Sequence, residues 1–388
     1  MPYRKVDLSV KIIIAPDSFK GSISAIEAAK AIERGIKKYK PQAQTVLVPV
    51  ADGGEGTLDC LIAAAGGTKI PVNVTGPLGA PVAAEYGLLE PDQTAVIEMA
   101  SASGLCLVTA EQHNPLVATT YGTGELIRQA LDAGCRSFLL ALGGSATNDG
   151  GAGMLQALGM KLLDSDGNSV GYGGGSLGNI AVIDDSGWDP RIAQSRFLIA
   201  SDVQNPFVGV EGASHVFGPQ KGATPEIVEQ LEHNMLAWAD LIAAKTGKRV
   251  HELPGAGAAG GISGAFLAFF SASIKRGIDI VIEYSHLRDH LQDADLVITG
   301  EGQIDFQTAS GKTPMGIAQE AKKFGVPTIC LAGSVGRGIE VLHEIGIASV
   351  HSIVTGPMTL QEAMARAAEL LERTAEQVVR SFDSQLKR

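Results

Sequence analysis

Carboxylates set among glycines recur along this chain, in a form that could gather a cation. Asp17 stands in Pro16-Asp17-Ser18-Phe19-Lys20-Gly21, Asp52 and Glu55 in Ala51-Asp52-Gly53-Gly54-Glu55-Gly56, and Glu301 and Asp305 in Gly300-Glu301-Gly302-Gln303-Ile304-Asp305. Taken singly, each acid also suits a turn or a helix N-cap, because Asp, Asn and Gly concentrate there for backbone reasons. Taken together, five carboxylates in one cleft would repel one another unless a divalent cation or a cationic side chain compensated. The joint reading is therefore a functional one.

A second cluster, Gly143-Gly144-Ser145-Ala146-Thr147-Asn148-Asp149-Gly150-Gly151, follows one apolar run and precedes the helix-forming stretch Met154 to Leu158. Such a loop can wrap a phosphate with backbone N–H groups and hydroxyls. Upstream, Thr119-Thr120-Tyr121-Gly122-Thr123-Gly124 opens a helix, either as an anion-facing N-terminus or as simple capping. Ser201-Asp202-Val203-Gln204-Asn205 also follows a strand, which puts Asp202 and Asn205 where a general base or a Mg2+ ligand could stand. Lys20 and Lys312 occupy matching places after two strands, where each could bind phosphate or remain a solvated lysine.

Two familiar patterns fail on their context. Gly255, Gly257 and Gly260 fit Gly-x-Gly-x-x-Gly, but His251 to Pro254 before them is no convincing strand. Gly311-Lys312-Thr313 ends like a P-loop, yet Phe306 stands where that pattern requires glycine. The eight histidines include no His-Glu-x-x-His, and the Gly-x-Ser-x-Gly spelled by Gly174 to Gly178 follows no β-branched run of the kind a nucleophile elbow needs, so metalloprotease and hydrolase readings lack support.

The loops need elements that hold them at one edge. Val10 to Ala15 is a β-branched run, Ser24 and Glu27 form a capping box for a helix to about Lys38, Thr45 to Val50 is a strand and Gly56 to Ala65 a helix. The same alternation returns with strands Leu296 to Thr299, Thr328 to Ala332 and Ser349 to Val354, and helices Pro314 to Phe324 and Ile339 to Ile345. A last helix follows Thr359, with Leu360, Met364, Ala367, Leu371, Ala375 and Val378 spaced as a core stripe. This is the order of a doubly wound parallel sheet, whose ligands gather beyond the carboxyl ends of the strands. The expected division is a discontinuous domain of residues 1–70 plus 290–388, interrupted by a second α/β domain over 71–289. The insert carries strands Phe138 to Leu142 and Phe197 to Ala200, alternating segments Val82 to Leu89 and Ala95 to Met99, helices Gly124 to Ala133 and Pro225 to Lys245, and a glycine-rich loop, Gly171 to Gly178.

Composition narrows the partners. With 388 residues and 45% hydrophobic content there is enough apolar surface for two cores. A net charge of −11 disfavours nucleic acid and anionic membranes, so an anionic substrate needs a local positive pocket or a metal. Glycine is abundant, 48 residues, while aromatics are 5%, which suits backbone turned tightly around ligands. Cys60, Cys106, Cys135 and Cys330 lie far apart, with no Cys-x-x-Cys pair; reduced thiols, the lack of a signal-peptide layout and the lack of a spanning apolar run lead to an expected cytoplasmic location. Oligomeric state is not legible.

Taken in order, Ala15 to Gly21, Ala51 to Thr57, Gly143 to Gly151 and Thr299 to Asp305 resemble the motifs of the bacterial glycerate kinases of type I. The resemblance runs from about Lys11 to Glu376, and its motifs fall in the right order. It implies a flavodoxin-like doubly wound sheet interrupted by a second α/β domain, and ATP-dependent phosphorylation of D-glycerate with Mg2+, in bacteria usually at the 2-hydroxyl. On that footing Lys20 or Lys312 contacts phosphate oxygens, and Asp202 or Asp52 accepts the glycerate proton. Asp202, Glu301 and Asp305 hold Mg2+. Ser18, Gly53, Gly54, Glu55 and Asn205 face glycerate, while Gly143, Gly144, Ser145, Thr147, Asn148 and Asp149 face the nucleotide. Closure of two domains would keep water from the phosphoryl group. The alternatives are attack from the 3-hydroxyl, a nucleotide-dependent dehydrogenase using the 255–260 glycines, and a sugar-acid-binding module without chemistry.

Overall fold

The computed structural model describes residues 10–90, 92–305 and 313–386. Two compact units emerge from its contacts: one holds residues 1–52, 59–65 and 278–388, the other 53–58 and 66–277. In chain order the first unit opens with β1 (Lys11–Pro16) and β2 (Gln44–Leu47). The second carries β3 (Gly67–Thr75), β4 (Pro81–Leu89), β5 (Thr94–Glu98), β6 (Ser137–Ala141), β7 (Lys161–Leu163), β8 (Val182–Asp184), β9 (Arg196–Ala200) and β10 (Ala272–Lys275). The first unit then closes with β11 (Leu296–Ile304), β12 (Thr328–Val335) and β13 (Ile347–Ser352).

In the first unit β1 is buried at every position, which explains why Ile12, Ile13 and Ile14 form an unbroken apolar run rather than an alternating one. The sheet order is β13-β12-β11-β1-β2 with every pair parallel, the strand order of the flavodoxin-like doubly wound fold. Helix Ala25–Tyr39 starts on the expected capping box: Glu27 N–H donates to the Ser24 hydroxyl, and the Glu27 carboxylate accepts from Ser24 N–H, each at 3.2 Å. At Gly35 this helix passes so close to helix Ala367–Leu386 that a Cβ would lie 2.1 Å from the Glu372 carbonyl oxygen.

Two expectations need correction here. The C-terminal helix is two, Leu360–Ala365 and Ala367–Leu386, because Arg366 leaves helical geometry at φ −106°, ψ 12°. The first piece therefore departs from the stripe, and Leu360 is 76% exposed, while Leu371, Ala375 and Val378 are buried as expected. Strands β11 and β12 also run further than the apolar residues suggest. Gly300 to Ile304 continue as strand, with Glu301 opposite Ala332 and Gln303 opposite Ser334, so Glu301 lies on a strand and not in a loop. Glycines make the extension feasible: a Cβ on Gly300 would sit 2.1 Å from the Leu331 carbonyl oxygen, and one on Gly333 2.5 Å from that of Gly302.

The second unit has a six-stranded sheet, β10-β9-β6-β5-β4-β3, in which the β3–β4 and β4–β5 pairs are antiparallel and the rest parallel. Phe138 and Phe197 stack at 4.6 Å on adjacent strands, and Phe266, Phe270 and Trp238 fill the core around them. The glycine-rich stretch 171–178 includes the start of a 3-10 helix, Gly174–Asn179.

Candidate functional site

In the first unit Asp17, Lys20, Asp52 and Glu301 come together where β1 stops and β11 continues. Asp17 N–H donates to the Gly300 carbonyl at 2.8 Å, which seats the residue beside the start of the β11 extension. Its carboxylate, on a residue 6% exposed, accepts from Ser18 N–H at 2.6 Å. Burial pushes the Asp17 carboxyl up to about 6, the charge of Asp52 adds to the rise, and the Thr313 hydroxyl, Ser18 N–H and Lys20 favour ionisation. Phe19 and Ile23 close a tight turn, helped by Gly21 at φ +74°, that carries Lys20 outward. Lys20 Nζ meets Asp52 Oδ2 at 3.2 Å, with the two side chains 80% and 40% exposed. Asp52 foremost, then Asp17 and Glu301, hold the Lys20 ammonium above its ordinary range. Ser18 and Glu301 are half-buried, and Asp305, also half-buried, accepts from Gln303 Nε2 at 3.1 Å. Lys312 lies outside the described residues.

The second unit has its own carboxyl edge, built on β5, β6 and β9. Gly53 and Gly54 belong to it, with Gly143 N–H donating to the Gly53 carbonyl at 3.3 Å. Gly53, at φ +90°, comes so near β9 that a Cβ would lie 2.7 Å from the Ala200 carbonyl oxygen. The structure thus brings together three separately expected groups: Gly53 with Gly54, Gly143, and the β9 end that leads to Asp202. At the start of helix Thr57–Ala65 the Thr57 hydroxyl donates to Gly54 O at 2.7 Å, and Leu58 N–H donates to the Glu98 carboxylate at the end of β5, 2.8 Å away. Glu98 is a strand-end carboxylate that the sequence reading passed over. Glu55 and Asp202 are exposed; half-buried Asn205 donates from Nδ2 to the Glu211 carbonyl at 2.8 Å.

The 143–151 loop has an accessible end and a buried end. Gly143 is half-buried and Gly144 exposed, whereas Ser145 is 6% exposed and Thr147, Asn148 and Asp149 are fully covered. Asp149 accepts from Thr120 N–H and Thr120 hydroxyl, each at 2.8 Å, from Gly151 N–H at 3.1 Å and from Gly153 N–H at 3.3 Å. Burial raises its carboxyl above the ordinary range while those donors oppose the rise. Thr120 thereby serves Asp149 from the start of helix Tyr121–Asp132, while the Thr119 hydroxyl accepts from Tyr121 N–H at 3.1 Å. Lys221, unremarked in the sequence, donates from Nζ to the Thr147 carbonyl at 2.6 Å, and full burial lowers its ammonium to about 7 against the pull of Asp149. Only its spacing within Gly218 to Gly222 hinted at special backbone. The Gly255 to Gly260 segment is turn and 3-10 helix, and Gly257 N–H donates to Asn205 O at 3.0 Å, so these glycines serve close packing. Among the described residues no group of three or more His, Cys, Asp or Glu is placed to hold a metal ion.

This sequence matches the glycerate kinase family over residues 12–383. It is 52% identical over 373 residues to a glycerate kinase of Bacillus subtilis, covering 96% of this chain and 98% of that one. A glycerate 2-kinase of Escherichia coli is 50% identical over 369 residues, 95% and 97% of the two chains. A crystal structure from Salmonella typhimurium, assigned as glycerate kinase 2, superimposes with a TM-score of 0.87 at 47% identity, covering 98% of this chain and 100% of that one.

Proposed function

We propose, because the chain belongs to the glycerate kinase family, that it transfers the terminal phosphoryl group of ATP to the 2-hydroxyl of D-glycerate. Near-complete alignment with glycerate kinases at about half identity carries the reading, and the Escherichia coli relative's name supplies the 2-position. Phosphoryl transfer asks a protein mainly for alignment and for charge at the transferred group.

The carboxylates at the first unit's edge differ in fitness as a base. Asp52 is spent on Lys20, while Asp17 is buried with one backbone donor and an acidity near 6, so Asp17 takes the glycerate hydroxyl proton in this reading. Lys20, exposed and fully charged, contacts phosphate oxygens. On the second unit, Gly53, Gly54 and the accessible Gly143 and Gly144 offer backbone N–H groups to anionic oxygens. Glu301, Asp305 and Asp202 are hard oxygen donors of the kind Mg2+ takes one or two at a time beside phosphates. Mg2+, when bound, offsets the negative charge of the triphosphate. A cytoplasmic place of action follows from ATP as the phosphoryl donor.

A coupled ADP-release assay with ATP, Mg2+ and D-glycerate tests the activity, and phosphorus NMR of the product tests the position. Signal from 2-phosphoglycerate is expected. Formation of 3-phosphoglycerate would move the attack to the other hydroxyl, and absence of glycerate-dependent ADP would remove the reading.

A further inference from the structure

Lys221 and the glycine segment after Gly255 close on the same loop from different sides. Lys221 Nζ holds the Thr147 carbonyl, with Asp149 as the nearby opposite charge. Ala259, Gly260 and Gly261 follow one another at φ +54°, +70° and +92°, and a Cβ on Gly260 would lie 2.0 Å from the same Thr147 carbonyl oxygen. Gly150 N–H donates to Gly260 O at 2.9 Å, Trp238 Nε1 to Gly150 O at 3.0 Å, and Asn148 Nδ2 to Ser214 Oγ at 3.1 Å. Left-handed backbone at a non-glycine residue such as Ala259 persists only where its surroundings enforce it. Burying an amine is costlier, and an apolar chain of the same length would serve packing better. Stability alone does not account for a lysine here.

We propose that Lys221 is a positioning residue for nucleotide binding: by holding the Thr147 carbonyl it sets the aim of Gly143, Gly144 and Ser145 toward the phosphates of ATP. The glycine segment is the passive half of that clamp, shaped so that backbone can lie against Thr147 and Gly150. This inference rests on the reading of the 143–149 loop as the phosphate contact of the nucleotide.

The test compares Lys221→Met with Phe270→Leu, a core change elsewhere in the same unit chosen to match any loss in thermal midpoint. Lys221→Met should raise KM for ATP at least tenfold with KM for D-glycerate within twofold, while Phe270→Leu leaves both within twofold. Equal behaviour of the two variants, or a KM for ATP raised less than tenfold in Lys221→Met, overturns the positioning role. Amide exchange of the wild-type protein saturated with the ATP analogue AMP-PNP separates this from the underlying reading: slowed exchange at residues 143–149 is expected, and unchanged exchange there sinks the loop assignment itself. Should Lys221→Met not fold, Lys221→Arg replaces it, because the guanidinium keeps an N–H donor but is too broad to meet the Thr147 carbonyl without displacing the loop. A KM for ATP raised twofold or more, with KM for D-glycerate unmoved, then supports the role, and a smaller change overturns it.

Discussion

Asp17 and Asp149 each sit in a glycine-bearing loop after a parallel strand, and both are buried enough to raise their acidity constants. Asp149 is gripped by four donors from Thr120, Gly151 and Gly153. Asp17 has the N–H of Ser18 and the Thr313 hydroxyl, a like charge at Asp52 and a lysine on an exposed turn. A carboxylate saturated with fixed donors is a strut. One that is buried, more sparsely bonded and flanked by another acid can trade its proton near neutral pH.

The sharpest way to break this contrast is Asp17→Asn, which keeps the shape and removes the base. It should lower kcat about 10²- to 10⁴-fold with the circular dichroism spectrum unchanged; turnover within a few-fold of wild type would return Asp17 to a structural role. Asp149→Asn should act on the other axis, costing about 3 kcal/mol of stability in denaturant titration, since an amide cannot accept from all four donors. Lys20→Ala should cut turnover about tenfold, yet shift stability by less than about 1 kcal/mol because its ion pair is exposed. Wild-type stability there would be no surprise, but wild-type turnover would class Lys20 as surface. The subtlest probe is pH. With a folded value of about 6 against an ordinary 3.8, Asp17 binds a proton more tightly in the native chain. Its contribution to stability therefore falls as pH rises from about 3.8 to 6 and is level above that, while kcat/KM climbs through about pH 6. In Asp17→Asn that acid limb should vanish.

Much of this was legible because its causes are local. β-branched runs such as Ile12 to Ile14 and the Ser24–Glu27 box announce themselves, and glycine beside carboxylate after β2 and along β11 marks an edge where ligands are expected. Other features needed the third dimension. Strand β3 alternates Ile70, Val72 and Val74 toward the core with exposed Lys69, Pro71 and Asn73, but Pro71 inside the run argues against a strand until its place at the sheet edge is known. Gly300 and Gly333 read as loop, whereas their missing side chains let two strands continue side by side. The passage of residues 53–58 into the second unit depends on where Gly53 meets β9 and Gly143. Lys221 is invisible because lysine belongs at the surface by default.

The placement of β1 against β11 has a consequence for biogenesis. Ile12 pairs with Leu296, so the middle of the flavodoxin-like sheet stays incomplete until nearly three hundred residues have left the ribosome. Residues 66–277 already hold a full sheet and core of their own by then. Translation thus imposes a sequence of events in which the later-starting unit matures first and the opening segment waits for its tail, a long-range closure that is slow by its topology. Ribosome-stalled chains whose emerged part ends near residue 290 should resist protease across 66–277 while 11–52 is cut; uniform sensitivity would show that neither unit assembles ahead of the other.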